Sequence, residues 1–72
     1  MILGTVKYWN SDRGFGFIRP DDGGTEPFVH INDISPAGVT PQMGDRARYE
    51  TRMTDRGLRA YSVELLDYDQ EA

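Results

Sequence analysis

Cysteine is absent from the 72-residue chain, and histidine and tryptophan occur once each. Without thiols there is no disulfide framework and no thiolate metal site. A core must come from apolar packing alone, near the lower limit of length for one domain without staples. Long hydrophobic runs are also missing. Residues 1–7 carry neither a basic leader nor an apolar stretch, so neither secretion nor a membrane span is expected, and a reduced cytoplasmic compartment is the default. No segment keeps a 3.6-residue period over helical length, and there are no repeats or low-complexity tracts. The carboxylates are dispersed on turns and toward the C-terminus, no glycine loop for nucleotide phosphates is present, and His30 has no evident catalytic or metal-binding partners. An enzyme, a metal site and a bound cofactor are all unexpected.

Lysine is scarce as well: seven of the eight basic residues are arginine. Guanidinium groups stack on bases as well as pair with phosphate, whereas an ammonium acts mainly as a point charge. The formal net charge of −4 argues at first against a polyanionic partner. Its distribution weakens that argument. Four of the 12 acids, Glu64, Asp67, Asp69 and Glu71, follow position 63, where no base occurs, leaving eight acids against eight bases before them. Around the glycine- and phenylalanine-rich stretch, Lys7, Arg13 and Arg19 face only Asp12, so a locally positive surface is expected there. For Arg46, Arg48, Arg52, Arg56 and Arg59, solubilising outer faces is the plainer alternative.

What the chain does contain is a series of short β-favouring runs between turn residues. They span roughly 2–10, 14–19, 27–31, 45–53 and 58–66. Asn10-Ser11-Asp12 and Asp21-Asp22-Gly23-Gly24 break the chain, and Asp55-Arg56-Gly57 reads as a hairpin connection. A longer loop from Asn32 to Met43 has room for one helical turn near Asn32-Asp33-Ile34. In the fourth run Arg46, Arg48, Glu50 and Arg52 alternate outward against Ala47, Tyr49, Thr51 and Met53. The fifth places Tyr61, Val63 and Leu65 inward. Five such strands suit an all-β fold, a five-stranded antiparallel Greek-key barrel of the OB type, over residues 1–66. Residues 67–72 form an acidic tail expected to fray.

The most specific segment is Arg13-Gly14-Phe15-Gly16-Phe17-Ile18. In a strand, alternate side chains share a face, so Phe15 and Phe17 stand together, and the glycines between them leave the strand thin behind the rings. Phe28-Val29-His30 repeats the geometry with two more rings. Turning Phe15 and Phe17 inward would leave a small core to surplus glycine, so the rings are expected outside. Val29 and Ile31 then serve as core residues. A row of exposed flat rings suits stacked nucleobases. A lone imidazole fits stacking, with one hydrogen bond, better than chemistry.

Gly4-Thr5-Val6-Lys7-Tyr8-Trp9-Asn10, Arg13 to Ile18 and Phe28-Val29-His30-Ile31 together resemble the bacterial cold-shock proteins, a likeness running from Leu3 to about Leu66. The Gly-Phe-Gly-Phe core would also fit an RNA recognition motif, but that fold needs two helices, for which this chain has neither room nor pattern. The resemblance implies single-stranded RNA and DNA as partners, with pyrimidine-rich strands favoured. It also implies roles as RNA chaperone, transcription antiterminator and translation regulator. Where relatives usually carry tryptophan then phenylalanine, this chain has Tyr8 then Trp9. Tyr8 takes the main stacking place, and Trp9 lies at its margin or partly in the core. Asn10 has either a base edge to contact or a turn to cap. Relatives often place further aromatics where Ile31 and Val39 stand, so a shorter or weaker grip is expected.

These readings converge on a monomeric, non-enzymatic single-strand binder. Tyr8, Phe15, Phe17, Phe28 and His30 would stack bases, with Trp9 flanking and Lys7, Arg13, Arg56 and Arg59 as cations. The alternative is a protein-interaction barrel whose aromatic face docks a peptide or a polymerase surface.

Overall fold

The computed structural model describes residues 1–35 and 37–66; the acidic tail lies outside them. Six strands form one sheet: β1 (Ile2–Asn10), β2 (Phe15–Pro20), β3 (Phe28–His30), β4 (Ile34–Ser35), β5 (Arg46–Thr54) and β6 (Gly57–Leu65). The order β3-β2-β1-β5-β6-β4 is closed by an additional β3–β6 pairing. The ladders β1–β2, β1–β5, β2–β3 and β5–β6 are antiparallel, as expected. Closure is parallel, with Phe28 opposite Arg59, and the two-residue β4 also runs parallel to β6. The result is an all-β, five-stranded mixed barrel with a short sixth pairing. The 3-10 turn Ile31–Asp33 is capped by His30.

Period-2 alternation decides the interior. Val6, Ile18, Val29, Ile34, Ala47, Tyr49, Ala60, Val63 and Leu65 form the buried core, with Ile2, Trp9, Ile31 and Val39 packed partly against it. Tyr49 is wholly buried and its hydroxyl has no hydrogen-bond partner among the described residues. Burial in apolar surroundings, with a smaller push from Asp22 and Asp21, raises its pKa from 10.0 to about 12.

Two bulges reset the alternation. In β1, Val6 opposes Ile18 but Tyr8 opposes Phe17, leaving Lys7 unopposed. Val6 therefore points inward while Tyr8, two residues on, points outward. In β6, Arg48 opposes Glu64 and Glu50 opposes Tyr61, so Tyr49 faces both Ser62 and Val63. Ser62 takes the left-handed φ of 52° that the extra residue requires.

The second bulge overturns one expectation. Ala60 and Val63 both point inward, so Tyr61 between them lies on the outer face, half-buried beneath arginines rather than in the core. Met53, also expected inward, is 74% exposed. The β5–β6 hairpin continues past Tyr49 and Ala60, the last core residues on those strands, so its end has no interior to fill.

Candidate nucleic-acid interface

The outer face of β1, β2 and β3 gathers the rings. Tyr8 is 6.4 Å from both Phe15 and Phe17, centroid to centroid. Phe15 lies stacked 5.6 Å from Phe28, and Phe17 meets Phe28 edge-on at 6.0 Å. All four distances fall within the range of interacting aromatic pairs. Tyr8 and Phe17 remain exposed, and Phe15 and Phe28 half-buried. The rings thus support one another while keeping surface for a ligand.

Gly16 is what allows this close approach. A Cβ there would sit 2.1 Å from the Tyr8 carbonyl oxygen and 2.7 Å from Trp9 Cε3. The Trp9 ring lies against this empty position on the core side, with its Nε1 buried and without a partner among the described residues. Trp9 thus takes the core-side alternative and does not join the ring cluster. Gly14, at φ +75°, ends a tight turn in which its N–H donates to Asn10 O at 2.8 Å. The Asn10 side chain accepts from Arg13 N–H at 3.1 Å, so Asn10 caps that turn.

His30 opposes Phe15 in the β2–β3 ladder. Its Nδ1 accepts from Asn32 N–H at 3.1 Å. The neutral ring therefore carries its proton on Nε2, which is left to donate to a ligand. Ile31 and Val39 pack toward the core and offer no ring.

The parallel seam brings the hairpin to this face. The Arg59 guanidinium lies 6.0 Å from the Phe28 centroid and 5.1 Å from that of Tyr61, while Arg52 lies 5.4 Å from Tyr61. A hydrogen bond from Arg59 to Asp33 Oδ2, at 2.9 Å, holds the guanidinium still more firmly charged. Between sheet and hairpin runs a groove of about 320 Å³, lined by Phe17 and Phe28 on one side and by Thr54, Arg56, Leu58 and Arg59 on the other.

The expected local positive charge is reduced by a residue far away in sequence. Glu26 folds between Lys7, at 3.2 Å, and Arg19, at 3.6 Å. Both pairs are solvent-exposed and worth about 0–1 kcal/mol, which an incoming phosphate can displace. Arg13, on the 11–14 turn, and Arg56 form no ion pair with a described residue. The structure thus assembles Tyr8, Phe15, Phe17, Phe28, Arg56 and Arg59 around one surface, with His30 along its β3 edge. Sequence reasoning missed Glu26, Tyr61 and Arg52. For Tyr61 the signal was present: simple alternation from outward Arg59 would have placed it outside.

Residues 2–66 match the "'Cold-shock' DNA-binding domain" family. The chain belongs to the cold-shock domain family. It is 40% identical to the major cold shock protein of Micrococcus luteus over 67 residues, covering 92% of this chain and all of that one. To cold shock protein 2 of Lactiplantibacillus plantarum it is 44% identical, over 89% of this chain and 97% of the relative. The solved structure "drosophila Unr CSD456" superimposes with a TM-score of 0.76 at 18% identity, covering 99% of this chain and 29% of that one, a likeness of fold. Cold-shock domains as a family bind nucleic acid and are not catalytic. Among the described residues of this one, no helix is long and apolar enough to cross a membrane, and no cluster of three or more metal-ligating side chains occurs.

Proposed function

We propose that this cold-shock domain binds single-stranded RNA and DNA by stacking bases on Tyr8, Phe15, Phe17, Phe28 and His30, and so acts as an RNA chaperone without ATP. The observation that carries the reading is the contiguous ring cluster, half-open to solvent and bordered by arginine. In a duplex the base faces are already stacked on one another, so rings of this kind engage only an open strand. A protein that binds the open form shifts the equilibrium toward it by mass action, with no energy source. Hairpins in transcripts control termination and ribosome access, so the same binding supports antitermination and translational effects. Arg56 and Arg59 flank the groove, and Lys7 and Arg13 stand beside the rings, as partners for phosphate. The domain works as a cytoplasmic monomer in this reading.

Titration with a short oligothymidine tests it. Submillimolar binding is expected, together with a salt dependence of about −0.7 per phosphate contact on a log–log plot, or about −1.4 to −2.8 for two to four contacts. A slope steeper than about −5 would put electrostatics ahead of stacking. Absence of binding would leave the face as a docking surface for protein.

A further inference from the structure

Arg52 and Arg59 oppose each other directly across the β5–β6 ladder. Like charges in that position repel unless an anion lies between or beside them. Arg59 has Asp33, but Arg52 forms no ion pair with any described residue. Glu50, on the same face, opposes Tyr61 and forms no ion pair with either arginine among the described residues. Instead of splaying apart, both guanidiniums converge on the Tyr61 ring, at 5.4 and 5.1 Å. The ring's negative face holds them together and partly offsets their repulsion. What results is a pair of forked donors held beside one ring, and forked guanidinium donors suit a phosphate. Arg59 also reaches the Phe28 ring, so this pair continues directly from the stacking platform.

We infer that Arg52, Arg59 and Tyr61 form a phosphate-binding extension of the interface. It takes a phosphodiester of the same strand whose bases lie on the phenylalanines, and directs that strand off the barrel onto the β5–β6 hairpin. The extension rests on the proposed function above. Its contribution requires a strand long enough to pass Phe28, and this length dependence separates the two ideas experimentally.

The test measures dissociation constants of the full chain for a thymidine tetranucleotide and a thymidine octanucleotide at several salt concentrations. Arg52→Gln is expected to weaken octanucleotide binding about three- to ten-fold and to make the salt slope shallower by about 0.7. Tetranucleotide binding should be unchanged. Tyr61→Phe should retain octanucleotide affinity, while Tyr61→Leu, confirmed as folded by circular dichroism, should lose it as Arg52→Gln does. Arg48→Gln removes the same charge elsewhere on β5 and should have little effect. An equal loss in Arg48→Gln, an equal loss for both strand lengths, or no loss in Arg52→Gln while both strands bind would each overturn the extension and leave the platform standing. Competition by inorganic phosphate without any gain from strand length would also overturn it. If neither oligonucleotide binds the unmodified chain, the platform itself is refuted, and the extension with it.

Discussion

Replacing Phe17 by alanine separates the two roles that an aromatic residue can have in a small barrel. Phe17 is 36% exposed, while its neighbour Ile18 is fully buried on the opposite face of the same strand. Its ring meets other members of the platform, Phe28 edge-on at 6.0 Å and Tyr8 at 6.4 Å. Removing it deletes one stacking surface, worth about 1–3 kcal/mol per base. The dissociation constant for a short oligothymidine should therefore rise about 5- to 150-fold. Stability should suffer much less. The lost ring contacts amount to ~1 kcal/mol, whereas Ile18→Ala leaves a core cavity and should cost about 2–5 kcal/mol. Fluorescence anisotropy with a labelled oligonucleotide reads the first quantity, and urea denaturation of the two variants reads the second. A change in affinity below about two-fold, some 0.4 kcal/mol, would mean that no base rests on Phe17. Destabilisation equal to that of Ile18→Ala would mean that the ring supports the core and the assignment of faces is inverted.

Gly16→Ala should damage both properties. Its Cβ would fall 2.1 Å from the Tyr8 carbonyl, so β1 must move away from β2 and carry Tyr8 off Phe17. A loss of about 1–3 kcal/mol in thermal or urea denaturation, with weakened oligonucleotide binding, is expected; a variant of unchanged stability would contradict the close strand packing. Tyr49 gives a pH test. An unfolded tyrosine ionises near 10.0 and the buried one near 12, so between these values unfolding releases a proton. Stability should be undiminished by this group below pH 10 and fall by up to ~3 kcal/mol as pH rises to 12. Tyr49→Phe should remove that part of the alkaline loss and, with no hydroxyl partner among the described residues to lose, should leave stability at pH 7 equal or up to about 1 kcal/mol higher. Urea midpoints across pH check it, and a clear destabilisation at pH 7 would reveal a missing partner for the hydroxyl.

Much of the ring cluster was legible because it follows the two-residue period of a strand. Phe15 with Phe17, and Phe28 with His30, needed only that period and the glycines between the rings. What the period cannot convey is where it is interrupted. Lys7 and Ser62 each add a residue to one strand of a ladder. The first was harmless to the reading, because the family pattern already marked Tyr8 as a stacking ring. The second was not, because counting back from Val63 and Leu65 carried Tyr61 to the wrong face. Met53 was misplaced for another reason: alternation reports which side a residue faces, not whether the barrel still lies behind it. Glu26 was invisible because its approach to Lys7 and Arg19 depends on the path of the 21–27 connection, which leaves no local pattern.

Closure of the barrel and construction of the site meet at Arg59. Phe28 opposes it in the parallel seam. Its guanidinium reaches the Phe28 ring and bonds Asp33 in the turn that follows β3. Without this seam β3 would be an edge strand, and Phe28 a ring at the margin of an open sheet with its far side in water. With it, Phe28 has phenylalanine on one side and arginine on the other, and the hairpin stands beside the platform as the second wall of a groove. The interactions that close the fold therefore also set the width of the proposed binding surface. A core substitution on β6 that loosens the seam should then weaken ligand binding, although the substituted residue touches no ligand.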